Sequence, residues 1–223
     1  MKHLLLGAGI FGKSLALRLI ELGDEVFIVD HNEAALESVK DMVTSALVAE
    51  STNRDTLNEI VEKFSPDDVV VCFGESFDAT MMSVIYLKDL GVSRIYARAS
   101  NYMQGEILNR LGVNSVILPE AMMGQRFADS LVLGENEQLI LDSENTIARV
   151  KIPQNVVGKK LSELEVEKSG IKVLFVHREY IAHKVSKTIS PQENPQLDEG
   201  DNLVVLGATR RIAKFINRLN KKF

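Results

Sequence analysis

Gly7, Gly9 and Gly12 stand in the spacing G-x-G-x-x-G, and Asp30 follows Gly12 by 18 residues. Residues of these types at these distances bind a ligand rather than break a bond. The first glycine permits a tight turn, the second lets a pyrophosphate approach the backbone, and the third lets a helix pack closely on a strand. A helix opening there presents free N–H groups and the positive end of its dipole to phosphate oxygens. A carboxylate at position 30 accepts hydrogen bonds from both ribose hydroxyls and repels a 2′-phosphate, which disfavours NADP. Glycine turns also join strands to helices without any ligand, so the surrounding elements decide the reading.

Those elements have the required order. Residues 3–6 (HLLL) predict a strand, and 10–22 a helix with Leu15, Leu19 and Leu22 on one face. Residues 25–29 predict a second strand that ends at Asp30. Then follow helix 32–42, strand 44–48, helix 53–63 with Ser51 or Thr52 as its cap, and the apolar run VVVCF at 69–73. Helix 77–90, strand 94–97, helix 101–111 and strand 115–118 complete six strands alternating with five helices. Such alternation predicts a doubly wound parallel sheet of the Rossmann type, with right-handed crossovers. Loops at the carboxyl ends of its strands should line one crevice: Ala49–Thr52, Gly74–Ser76 and Arg98–Asn101. Arg98 is the candidate phosphate partner there, with a surface ion pair as the alternative.

Beyond Pro119, residues 120–132 read as a helix with no following strand to pair with. From about 138 the texture changes. Strands are predicted at 138–141, 146–152, 171–178 and 203–207, with a short helical pattern at 158–168, a polar loop at 190–201 and a basic helix at 209–220. The expected organisation is a nucleotide-binding domain at 1–119, a crossing helix and linker at 120–137, and a small α+β domain at 138–223.

Composition narrows the functional classes. The 223 residues carry a formal net charge of −5, which gives no bulk attraction to nucleic acid or to an anionic membrane. The charge is uneven: residues 1–137 hold 11 Lys/Arg against 21 Asp/Glu, and residues 138–223 hold 15 against 10. A single cysteine, Cys72, excludes an internal disulfide and a cysteine-rich metal site. The first residues enter a strand directly, leaving no room for a signal peptide, and no apolar run approaches membrane-spanning length.

A catalytic constellation is not evident. Hydride transfer needs a proton donor or acceptor beside the transferred hydrogen. His3 falls in the first strand, His31 beside Asp30, and His177 and His183 in the second half, none where a nicotinamide ring is expected. The sequence lacks a G-x-S-x-G elbow and an H-E-x-x-H. The pocket reads as a sensor, with an NAD-dependent oxidoreductase bearing a small substrate domain as the alternative.

Several stretches together resemble the regulator-of-potassium-conductance (KTN/RCK) family, the TrkA- and KtrA-like cytosolic subunits of Trk and Ktr potassium uptake systems. They are GAGIFGKSLALRLIELGDEVFIVD (7–30), AEST (49–52), ARASN (97–101), GVNSVILPEAMMGQRFA (112–128), VVGKKLSEL (156–164), GIKVLFVHR (170–178) and LDEGDNLVVLG (197–207). The resemblance implies a regulatory, non-enzymatic role. It implies a homodimer that assembles into an octameric ring on a membrane-embedded potassium channel or transporter. The location would be cytoplasmic, at the inner face of the membrane, with no nucleic-acid partner and no direct membrane insertion. The implied ligands are ATP, ADP, AMP or NAD(H), a divalent cation, and a second effector such as cyclic di-AMP in the C-terminal domain. Carried over by position, Gly7, Gly9, Ile10, Phe11 and Gly12 take the phosphates. Asp30, His31 and Asn32 take the adenosine side. Ser51, Thr52, Gly74, Glu75 and Arg98 complete the cofactor-binding wall. Glu120 matches a divalent-cation ligand of some members, and is equally a carboxylate favoured by a helix N-terminus. The sequence departs from the family at Ile10, where ATP-sensing members often carry arginine.

Overall fold

A computed structural model describes residues 1–74, 76–133, 137–142, 145–180 and 185–222. The chain divides into two compact units, Met1–Met123 and Gly124–Phe223.

The first unit is a six-stranded sheet in the order β3-β2-β1-β4-β5-β6, with every pairing parallel. Its strands are β1 (Lys2–Leu6), β2 (Glu25–Asp30), β3 (Ser45–Val48), β4 (Asp68–Val71), β5 (Ile95–Arg98) and β6 (Ser115–Ile117). Successive side chains of a strand point to opposite faces, and here both faces are covered. Leu4, Leu6, Val69 and Val71 pack with Leu57, Ile60, Val84, Leu87 and Leu108 from α3 (Arg54–Phe64), α4 (Phe77–Asp89) and α5 (Tyr102–Arg110). Leu5, Val26, Ile28 and Val70 pack on the other side with Ala16 of α1 (Ile10–Glu21) and Leu36 of α2 (Glu33–Glu37). This is the doubly wound arrangement that the alternating pattern predicts.

Three expectations in this unit need correction. The second helix spans only Glu33–Glu37 rather than 32–42, because Ser38 caps its C-terminal end and a further turn tucks Val39 into the core. The cap of α3 is Asn53, not Ser51 or Thr52: the Asn53 side chain accepts from the N–H groups of Asp55 and Thr56, both at 3.0 Å. The fourth strand stops at Val71 rather than Phe73; the Cys72 N–H still donates to the Leu6 carbonyl at 2.7 Å, and Cys72 and Phe73 wall the glycine loop.

In the second unit five antiparallel strands stand in the order β10-β9-β11-β8-β7. They are β7 (Glu137–Ile140), β8 (Thr146–Lys151), β9 (Lys172–Tyr180), β10 (Val185–Ile189) and β11 (Asn202–Gly207). Ala148, Val150, Val176, Leu203 and Val205 form its core with Ile212, Phe215 and Leu219 of α7 (Thr209–Lys222). Leu133, from the end of α6 (Pro119–Leu133), joins the same core. The helix expected over 158–168 is instead two 3₁₀ turns, Leu161–Leu164 and Glu167–Ser169. A 3₁₀ turn stacks residues i and i+3, and it buries Leu161 and Leu164 together. Glu165, in the left-handed region at φ 47°, separates the two. Strand β10 is an edge strand that the sequence reading does not assign. His183 lies outside the described residues.

The polar loop at 190–201 is anchored rather than free. Asp201 is fully buried, and its carboxylate accepts from Arg178 Nε at 2.8 Å, Arg178 Nη2 at 2.7 Å and the Asp198 N–H at 2.9 Å. Removing one partner of such a buried pair strands the other charge. Arg178→Ala should therefore cost about 3 kcal/mol of stability in urea unfolding of the full chain. A loss below about 1 kcal/mol would show that this ion pair does not hold the loop.

Candidate nucleotide-binding site

The site follows from strand order. Chain connections leave β1 toward β2 on one side and return to β4 on the other, so the topological switch point of the sheet, where such folds bind ligands, lies at the carboxyl ends of β1 and β4. Gly7 closes β1 at φ 109°, a conformation that disfavours any side chain, and its N–H donates to the Val29 carbonyl at 2.7 Å. Gly12 lies so close to Gly7 that a Cβ there would collide with the Gly7 carbonyl oxygen and crowd its carbon, with the Cys72 side chain in contact behind. The third glycine thus does what its spacing predicts, bringing α1 hard against the loop.

Helix α1 begins differently from its neighbours. Asn32, Asn53, Ser76 and Asn101 cap α2, α3, α4 and α5 through their side chains. Gly9 caps α1 with no side chain, no acidic residue sits in the first turn, and a Cβ on Gly9 would meet open space. The leading N–H groups of Ile10, Phe11 and Gly12 therefore carry the positive end of the helix without a side-chain acceptor. Ile10 is 90% exposed and Phe11 half-buried.

Asp30 stands beside this turn at the end of β2. Its Oδ2 accepts the Ala8 N–H at 2.7 Å and its Oδ1 accepts the Asn32 N–H at 2.8 Å. The carboxylate is thus fixed to the glycine loop, with the exposed His31 ring nitrogen 3.4 Å from Oδ1. Asn32 spends its side chain on the Ala34 N–H as the α2 cap.

After β3, Glu50 accepts the Thr52 hydroxyl at 2.6 Å and the Thr52 N–H at 3.2 Å. Those two hydrogen bonds, the hydroxyl first, hold its carboxyl below the usual range. Ser51 is buried, and its carbonyl accepts the Ser83 hydroxyl. The sequence reading named Ser51 and Thr52 but not Glu50, whose signal is the acidic residue two places before Thr52 in AEST.

On the β4–β5 side, Phe73 packs against Gly7, and the Arg98 guanidinium lies directly on Gly74. A Cβ at position 74 would collide with Arg98 Nη1, so this glycine makes room for the arginine. Arg98 Nη2 forms an ion pair with Glu120 Oε1 in the first turn of α6. Its own backbone N–H, and then Arg98, hold the Glu120 carboxyl below the usual range. Among the described residues no group of three or more His, Cys, Asp or Glu is placed to hold a metal ion. Glu75 lies outside the described residues. Cys72, behind the loop, is buried, and burial pushes its thiol up to about 12. No helix among the described residues is long and apolar enough to cross a membrane.

Comparison with known proteins adds a second line. The TrkA-N domain family matches residues 3–119 and the TrkA-C domain family residues 146–220. The chain is 29% identical over 216 residues to Ktr system potassium uptake protein A of Bacillus subtilis strain 168, covering 95% of this chain and 94% of that protein. It is 27% identical over 217 residues to Ktr system potassium uptake protein C of the same organism, covering 96% and 95%. Among solved structures, the crystal structure of the GsuK RCK domain shares the fold at a TM-score of 0.53 and 18% identity. That likeness covers 99% of this chain and 47% of the GsuK chain, so this chain spans about half its length. The GsuK channel bound to NAD shares it at a TM-score of 0.55 and 18% identity, covering 98% and 39%.

Two predictions follow from the packing of the loop. Gly12→Ala should lower stability by about 1–3 kcal/mol, read by urea unfolding, because the added methyl must displace backbone. A stability equal to wild type would mean α1 does not press on Gly7. A thiol titrating at about 12 is protonated at pH 8, so Cys72 should react with a disulfide reagent only after denaturation. Fast labelling of the folded chain would contradict that burial.

Proposed function

This chain belongs to the TrkA family, with a TrkA-N domain followed by a TrkA-C domain, and on that footing we propose that it is a nucleotide-sensing regulatory subunit of a potassium uptake system. Its first unit binds an adenine nucleotide or NAD(H), and the bound ligand sets the state of a membrane-embedded channel or transporter. The observation that carries this reading is the first turn of α1: it is free of any side-chain cap, opens at the β1/β4 switch point, and has Asp30 at its side. Pyrophosphate oxygens suit the leading N–H groups, and ribose hydroxyls suit Asp30.

Gating requires that ligands bind two assembly states unequally. Couplings of about 1–3 kcal/mol per site are typical, and a ring of identical sites multiplies them. An assembly of copies is supported by α6, where Met122, Met123, Phe127 and Leu131 are each more than 60% exposed. Such apolar residues on one helix suit burial against another copy. The Ktr-named relatives align over almost their whole length, which supports a potassium transporter as the partner.

Calorimetric titration with ATP, ADP, AMP, NAD and NADH, on wild type and Asp30→Ala, tests the site. At least one of these ligands should bind the wild type, and the variant should bind it about tenfold more weakly or worse, the scale of lost hydrogen bonds to a charged group. Failure of all five, or equal binding by the variant, would overturn the assignment. Catalytic consumption of NADH would favour the oxidoreductase reading instead.

A further inference from the structure

The Arg98–Glu120 pair joins two residues with separate expected tasks: Arg98 as a phosphate contact and Glu120, by the family resemblance alone, as a cation ligand. In the folded chain they hold each other. The Arg98 side chain is only 17% exposed, and that of Glu120 is 61% exposed. A guanidinium carries five N–H donors. Of these, Nη2 is given to Glu120, while Nε is buried with no partner among the described residues. Charge-assisted pairing with a carboxylate is the same chemistry by which arginine holds a phosphate.

Position makes the two anions rivals. Gly7 is in contact with Phe73, and the next residue, Gly74, carries the Arg98 guanidinium on its Cα. Arg98 therefore borders the glycine loop by way of two consecutive residues. A phosphate chain that runs from the first turn of α1 toward β5 runs toward the guanidinium that Glu120 already occupies. Glu120 cannot be passive there, because its carboxylate and the incoming phosphate repel each other and share one cation.

We infer that Glu120 is a specificity-determining residue of this site, acting through Arg98: it competes with the ligand's distal phosphate for the guanidinium. The inference rests on the nucleotide reading above. A ligand with one phosphate, held by the α1 turn alone, gains little from Arg98. A ligand with a second phosphate gains Arg98 only by displacing Glu120, so the carboxylate blunts the advantage of ADP over AMP.

The test is a double-mutant cycle read by calorimetry with ADP and AMP, first without divalent cations. Glu120→Gln should tighten ADP binding about threefold to fivefold, the range of a partly exposed ion pair, and AMP binding by less than twofold. In an Arg98→Gln background the same change should have no effect on ADP, because there is nothing left to compete for. Wild-type binding of ADP that Glu120→Gln leaves unchanged or weakens would overturn the inference while sparing the nucleotide reading. A gain that persists in the Arg98→Gln background would also overturn it, since it would mean direct repulsion. Repeating the titrations with magnesium separates a cation ligand: if Glu120→Gln weakens ADP binding only there, Glu120 serves the metal and not Arg98. Absence of ADP and AMP binding in every variant would overturn the inference, and the nucleotide reading falls with it only if ATP, NAD and NADH fail as well.

Discussion

One contact admits no side chain, and the candidate site depends on it. The first turn of α1 lies against the Gly7 carbonyl, with the position of a Gly12 Cβ already taken. This proximity aims the helix N-terminus at the end of β1 rather than past it. Cys72, whose N–H still donates to the Leu6 carbonyl, and Phe73 form the wall on which the glycine loop rests. The parallel register of β2, β1 and β4 then brings the ends of three strands level, so Asp30 reaches the Ala8 N–H without bending the sheet.

Around that turn Asp30, Glu50 and Arg98 each have a partner within the chain. Asp30 is held by two backbone N–H groups, Glu50 by Thr52, and Arg98 by Glu120. The first turn of α1 is the exception, since no side chain caps it. Under the proposed function, a site arranged in this way is shaped before a ligand arrives, and selectivity depends on which internal pairs a ligand must replace. Ile10, apolar and exposed at the first helical position, adds no charge to that exchange.

The first unit was readable from the sequence because its physics is local and repetitive. Strands buried on both faces give continuous apolar runs such as HLLL and VVVCF, and glycine spacing marks one turn. The second unit was less readable. Its 3₁₀ turns bury Leu161 and Leu164 at i and i+3, a spacing that also fits an α-helix, and β10 (VSKTI) is a largely polar edge strand. Asn53 displaced Ser51 and Thr52 as a cap because all three are good caps and only the backbone decides among them. For Arg98 the sequence offers a surface ion pair as an alternative but does not point to Glu120 as the partner. The pair links residues 22 apart in the chain, brought together by the neighbouring strands β5 and β6.

The most direct measurement is amide hydrogen exchange over residues 7–13, with and without ADP or NAD. The account predicts that at least one of them slows exchange at Ile10, Phe11 and Gly12, with smaller changes around Arg98. Unchanged exchange at those three amides under saturating concentrations of both would contradict it, leaving the glycine loop as a structural turn.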